Sequence, residues 1–167
     1  MGFGKLLKPD LFFNSVHDID AGVLNEHDIK GLLIDLDNTL ISHEAEELDE
    51  RSRVWVSELL KGKIKCCVIS NNITGRVKRI SRELGIDYVG GALKPLGRAF
   101  LKGVEKLHLP KYEIAIVGDQ LFTDILGGKM VGIRAILVRP ISCKERFWTE
   151  LIRHLENKIK GQMGIPI

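Results

Sequence analysis

Short apolar runs alternate with amphipathic stretches along almost the whole chain. Continuous apolar runs predict strands over residues 31–37, 64–70, 113–118 and 133–138, with a shorter one over 86–89. Between them, apolar residues recur every three or four positions. Leu48, Trp55 and Leu59 predict a helix over 48–61, and Val77, Ile80 and Leu84 predict one over 73–84. Phe100, Val104 and Leu107 predict a third over 95–108, with Pro95 suited to its first turn. A short helix over 123–130 and a last one over 144–160 complete the series. In the last, Trp148, Leu151, Ile152, Leu155 and Ile159 share a stripe while Arg146, Arg153, Lys158 and Lys160 lie elsewhere. A basic amphipathic helix of this kind either packs on its own sheet or lies on an anionic membrane.

Strands alternating with helices build βαβ units, so the expected fold is α/β: a Rossmann-like three-layer sandwich around a five-stranded parallel sheet. No repeat or linker interrupts the 167 residues, which predicts a single domain, 1–167, with residues 1–29 as an N-terminal extension. The apolar residues of that extension, Phe3, Leu6, Leu7, Leu11, Phe12 and Phe13, stand beside Lys5 and Lys8 and suit either core or membrane surface. Composition, 44% hydrophobic and 28% charged, is that of a globular protein and excludes disordered and disulfide-dense scaffolds. Of three cysteines, Cys66 and Cys67 are neighbours in a strand, where side chains point to opposite faces; reduced, buried thiols are expected, as in a cytoplasm. No apolar run approaches the roughly 20 residues needed to cross a bilayer.

The net charge of +3 conceals a division. Residues 1–60 carry 5 Lys/Arg against 13 Asp/Glu, and residues 61–106 carry 11 against 3. A basic middle segment raises nucleic-acid binding, but Tyr88 and Phe100 are its only aromatics, too few for base stacking; no nucleic-acid partner is expected.

In open α/β sheets, ligands bind beyond the carboxyl ends of the strands. Four of those ends are polar: Asp35-Leu36-Asp37-Asn38-Thr39, Ser70-Asn71-Asn72, Lys94-Pro95, and Gly118-Asp119 leading to Asp124. Clustered carboxylates repel, and hard oxygen donors suit Mg²⁺ better than zinc. Lys94 and the Ser70 hydroxyl add what a metal alone does not need and a phosphate does. A carboxylate nucleophile splits phosphate-ester hydrolysis into two easier steps through an aspartyl-phosphate.

Asp35-x-Asp37-x-Thr39, Ser70, Lys94 and Gly118-Asp119 with Asp124, in this order and at successive strand ends, resemble the four motifs of the haloacid dehalogenase (HAD) superfamily phosphatases. The wording around them resembles subclass IIIA, and within it the YqeG-type group, which is similar to phosphatidylglycerophosphate phosphatases. The resemblance implies a HAD-like fold. It implies Asp35 as nucleophile, Asp37 as general acid, and Ser70, Asn71 and Lys94 as phosphate-binding residues. Mg²⁺ would be held by Asp35, Asp37, Asp119 and Asp124, with Asp37 contributing its carbonyl. It implies a phosphorylated substrate, phosphatidylglycerophosphate foremost. A soluble sugar or nucleotide phosphate is the alternative, and a phospho-acceptor signalling module a remote one. Only about eight residues separate Thr39 from the next helix, and nine separate Leu84 from Lys94, so no cap domain fits and the site is expected to be open. An open site suits a lipid headgroup, with the protein cytoplasmic or peripheral on the inner membrane face, or a lid lent by another subunit in an oligomer. His43 lies close enough to the first motif to line the mouth.

Overall fold

The computed structural model describes residues 3–73, 75–142, 159, 161 and 164, with backbone alone at residue 3. The chain opens with α1 (Phe3–Leu6), β1 (Leu11–Phe13), a 3₁₀ turn (Val16–Asp18) and α2 (Ala21–Glu26). The central elements are β2 (Gly31–Asp35), α3 (Glu50–Lys61), β3 (Lys65–Ile69), α4 (Gly75–Leu84), β4 (Asp87–Val89) and α5 (Gly97–Leu107). A second 3₁₀ turn (Lys111–Glu113) leads to β5 (Ile114–Gly118), a π turn (Leu121–Ile125), α6 (Leu126–Val131) and β6 (Arg134–Val138).

The sheet is parallel throughout, in the order β1-β6-β5-β2-β3-β4. It therefore has six strands, not the expected five. The additional one, β1, comes from the N-terminal extension and pairs along the edge with β6, Leu11 opposite Ile136. Three residues of Leu-Phe-Phe are too few to show a period of two, so this strand is invisible as a pattern. It also settles most of the extension's apolar residues: Leu7 is buried, Leu11 and Phe13 pack against one core cluster, and Phe12 against the other.

Alternate strand residues feed two cores, as a sheet covered on both faces requires. Leu32, Ile34, Cys66, Val68 and Val117 face Trp55, Val56 and Leu59 of α3 and Val77 and Ile80 of α4. Leu33, Cys67, Ile69, Ile116 and Leu137 face Phe100 and Leu107 of α5 and Ile125 beside α6. Cys66 and Cys67 are thus free thiols in opposite cores, and burial pushes both up to about 12. The helix expected over 144–160 lies outside the described residues apart from Ile159, which packs against the second core.

Element ends follow local chemistry. Asp49 accepts a hydrogen bond from Ser52 N–H at 2.7 Å, so α3 starts after this cap. Ahead of α5, a turn closed by Leu96 N–H to the Leu93 carbonyl (3.0 Å) contains a cis Lys94–Pro95 bond, so Pro95 precedes the helix instead of opening it. From β2 the chain builds outward to β3 and β4, then crosses to β5 on the other side of β2. The carboxyl ends of β2 and β5 meet at this reversal, the place where open α/β sheets hold ligands.

Candidate active site

Register brings the predicted residues to one edge. Asp35 pairs with Ile69, so Ser70 follows one step beyond, and Gly118 ends β5 with Asp119 next. Carboxylate oxygens of Asp35, Asp119 and Asp124 lie within 4.8 Å of one another, all buried. The Lys94 ammonium enters between two of them, donating to Asp35 and to Asp124 Oδ1 (2.6 Å), with its side chain 3% exposed. Burial alone would lower the Lys94 pKa, but the charges of Asp124 and Asp35 hold it above its ordinary value. Burial, reinforced by Asp124 and Asp119, pushes Asp35 well above the usual carboxylate range, against the pull of Lys94.

Three carboxylates gathered around one ammonium offer more negative charge than Lys94 alone can balance, and the raised Asp35 pKa reflects that crowding. A divalent cation with oxygen ligands offsets that excess, so the donor set fits Mg²⁺. Thr39 Oγ1 donates to Asp119 Oδ1 (3.3 Å), tying the loop after β2 to the end of β5. Gly118 has a specific reason to be glycine: a Cβ there would fall 2.4 Å from the carboxyl group of Asp124. Asp124 is further fixed by accepting from Gln120 N–H (3.2 Å).

Asp37 is turned elsewhere. A tight loop after β2, closed by Leu40 and Ile41 N–H groups on the Leu36 carbonyl and by Asn38 N–H on the Ile41 carbonyl (2.8 Å), carries Asn38 at φ 63°. Asparagine tolerates that left-handed backbone better than most residues. The loop swings the Asp37 side chain out of the buried cluster, to 25% exposure. There it accepts from Arg76 Nη1 at 2.6 Å and from Ser70 Oγ at 3.3 Å, and His43 Nδ1 stands 3.6 Å away. Arg76 also donates to the Ser42 carbonyl (2.8 Å), and its Nε–H is buried with no hydrogen-bond partner among the described residues.

Ser70 and Lys94 come from different loops, and Asn71 joins them. Its side-chain Oδ1 accepts from Lys94 N–H at 2.6 Å, while Ser70 Oγ accepts from Asn72 N–H at 3.1 Å. The arrangement thus gathers Asp35, Asp119, Asp124 and Lys94 in one buried group. Asp37 and Ser70 sit at its rim, with Asn71 as a brace behind them. Sequence reading overlooked Arg76. A basic residue in the first turn of the helix after Ser70 was the available signal, masked by the other charges of α4.

Residues 45–132 match the haloacid dehalogenase-like hydrolase family, a span that includes Ser70, Lys94, Asp119 and Asp124. The chain is also 37% identical over 155 residues to the Bacillus subtilis protein named "Probable phosphatase YqeG", covering 93% of this chain and 90% of that one. The chain belongs to the haloacid dehalogenase-like hydrolases. It is accordingly an enzyme of the phosphatase type. Weaker similarity reaches an Arabidopsis thaliana protein named "Phosphatidylglycerophosphate phosphatase 1, chloroplastic/mitochondrial", 29% identical. That match covers 91% of this chain but 47% of the Arabidopsis protein, so the chain spans about half of that relative's length. Among solved structures, the fold is shared with the YrbI phosphatase of Haemophilus influenzae in its cobalt-bound form. The TM-score is 0.55 at 15% identity, covering 83% of this chain and 91% of that one. A subfamily IIIA hydrolase from Legionella pneumophila matches at TM-score 0.52 and 20% identity, covering 82% and 89%.

Proposed function

We propose that this HAD hydrolase is a Mg²⁺-dependent phosphomonoesterase that removes the terminal phosphate of phosphatidylglycerophosphate through an aspartyl-phosphate on Asp35. One observation carries the reading: two aspartates separated by a single leucine occupy opposite environments. Asp35 is buried against Lys94, and Asp37 is half-turned to solvent beside Arg76 and Ser70. Two carboxylates with divided environments take divided roles.

An Asp35 oxygen attacks phosphorus as the ester P–O bond breaks, and Asp37 gives its proton to the departing alkoxide oxygen. Water then attacks the phosphorus of the aspartyl-phosphate, giving a proton back to Asp37, and the P–O bond to Asp35 breaks to release inorganic phosphate. Ser70, with Asn71 bracing the Lys94 loop, and Lys94 hold the phosphoryl oxygens. Asp35, Asp119, Asp124 and the Asp37 carbonyl would hold Mg²⁺, which when bound supplies charge neutralisation between the anionic nucleophile and the anionic phosphate. The lipid substrate draws support from the name of the Arabidopsis relative and from the short loops around the mouth, which leave room for a bulky headgroup. The test compares phosphatidylglycerophosphate in mixed micelles with soluble sugar and nucleotide phosphates. Preferred turnover of the lipid is expected; ready hydrolysis of soluble esters with the lipid untouched would overturn the substrate assignment.

A further inference from the structure

Three aliphatic side chains on the catalytic edge are the most exposed aliphatics among the described residues: Ile73 at 89%, Leu93 at 67% and Leu96 at 59%. They belong to the two loops that carry Ser70 with Asn71 and Lys94. Those loops are bonded into one rim. Gly91 N–H donates to the Asn72 carbonyl (3.1 Å), Ala92 N–H to the Ser70 carbonyl (3.0 Å), and Lys94 N–H to Asn71 (2.6 Å). Leu93 is held at φ 50°, so the backbone bears local strain while displaying a leucine to solvent. Isolated exposed leucines need no explanation, but three on one rim around a polar site do.

Their surroundings say what covers them. The helix that begins two residues after Ile73, α4, carries Arg76, Lys78, Arg79 and Arg82 against a single Glu83. Arg98 stands exposed in the first turn of α5, just past Leu96. Glu46, in the loop ahead of α3, pairs with Arg79 at 3.2 Å, so this carboxylate near the rim is matched by a cation, while Lys78 stands exposed on the same helix. Projecting aliphatic tips beside exposed cations match a surface that is apolar beneath and negative on top. Lipid headgroups attract cations within roughly a Debye length of about 8–10 Å, and aliphatic tips gain by entering the acyl boundary.

We infer that the rim of Ile73, Leu93 and Leu96 docks the active site onto an anionic phospholipid surface, with Lys78 and Arg98 supplying the electrostatic attraction. This rests on the lipid-phosphatase reading and deepens it: the same loops that bind phosphate set the mouth against the bilayer, so a headgroup enters without leaving its membrane.

The test is co-sedimentation with vesicles of phosphatidylcholine alone or mixed with phosphatidylglycerol. The wild-type protein is expected to sediment with the mixed vesicles, less so as salt rises, and not with phosphatidylcholine alone. The triple variant Ile73→Ser, Leu93→Asn, Leu96→Ser keeps the backbone at ease, since asparagine accepts a positive φ and serine suits the position ahead of α5. Its partitioning should fall roughly tenfold or more, the scale set by withdrawing three aliphatic tips from the interface. Tyr112→Ser with Leu60→Ser, both exposed but near the amino-terminal ends of β5 and β3, at the opposite edge of the sheet, should bind like wild type. Should the triple variant fold poorly, Lys78→Glu with Arg98→Glu reads the same surface, with weakened binding at low salt. Wild-type indifference to anionic vesicles, or undiminished binding by the rim and charge variants, would overturn the inference. A parallel assay follows turnover of phosphatidylglycerophosphate in vesicles relative to its water-soluble deacylated ester, and the triple variant should lower that ratio. If neither ester is hydrolysed, the phosphatase reading fails, while the vesicle result still judges the docking surface.

Discussion

Asp35 and Asp37 differ in surroundings because of one tight loop, and Arg76 holds the outer member in place. The guanidinium side chain is 9% exposed, and its bond to Asp37 Oδ1 is 2.6 Å. Removing the buried guanidinium leaves Asp37 oriented by the longer bond from Ser70 Oγ, 3.3 Å. Arg76→Gln is therefore expected to lower kcat toward alkyl phosphates by about tenfold or more, a share of the ~10²–10⁴ that a general acid contributes. Phosphates with a good leaving group, such as p-nitrophenyl phosphate, need no proton from the general acid proposed at Asp37 and should suffer much less, and Arg76→Lys should recover part of the loss. Equal losses on both substrates would show that Arg76 supports the fold and not the proton transfer. Charged residues were readable as candidates one by one, since acidic and basic types at strand ends imply phosphate chemistry. Arg76 was not, because a fourth cation on a solvated helix looks like surface until its neighbour is known.

At the scale of elements, the N-terminal extension is joined to the body through a histidine. His17 Nδ1 lies 2.9 Å from Ser15 Oγ, and Nε2 lies 3.2 Å from Ser52 Oγ of α3, which donates onward to the Leu40 carbonyl at 2.9 Å. Trp55 of the same helix meets the His17 ring edge-on and donates to the Ile19 carbonyl at 2.6 Å. Because Ser52 already donates to Leu40, the network takes a neutral ring with its proton on Nε2. Burial, aided by the charge of Arg51, holds the His17 pKa below its ordinary 6.5. The unfolded chain therefore binds the proton more readily, so the stabilisation is present above pH 6.5 and is lost as pH falls through the lowered value. Thermal midpoints measured against pH should decline on acidification below about 6.5, and His17→Gln should flatten that part of the curve. A slope unchanged by the substitution would remove His17 as its source. The long strands and helices were legible from periodicity, whereas β1 and this histidine link were not. Both are short-range in length and long-range in partner, and neither leaves a pattern in sequence.

For the whole molecule, parallel order, register and the reversal between β2 and β5 gather residues from 35 to 124 around one crevice. The charge division along the chain finds its sense here. Asp35 and Asp37 come from the acidic first segment and Lys94 from the basic middle, and the two meet at the sheet edge. The buried cluster crowds three carboxylates into one site that a divalent ion would relieve, so Mg²⁺ should stabilise the folded protein by mass action. Thermal midpoints are expected to rise with Mg²⁺ concentration and fall on chelation. Asp119→Asn should blunt that response even where no substrate is present. An identical midpoint with and without Mg²⁺ would count against a metal held by these carboxylates.

The assignment of Asp35 as nucleophile is tested most directly by trapping what forms on it. Acid quenching during the first turnover of a phosphomonoester, followed by peptide mass spectrometry, should find a phosphoryl group on Asp35, and none in Asp35→Asn, which should also be inactive. A phosphoryl group carried elsewhere, or full turnover by Asp35→Asn, would contradict the mechanism.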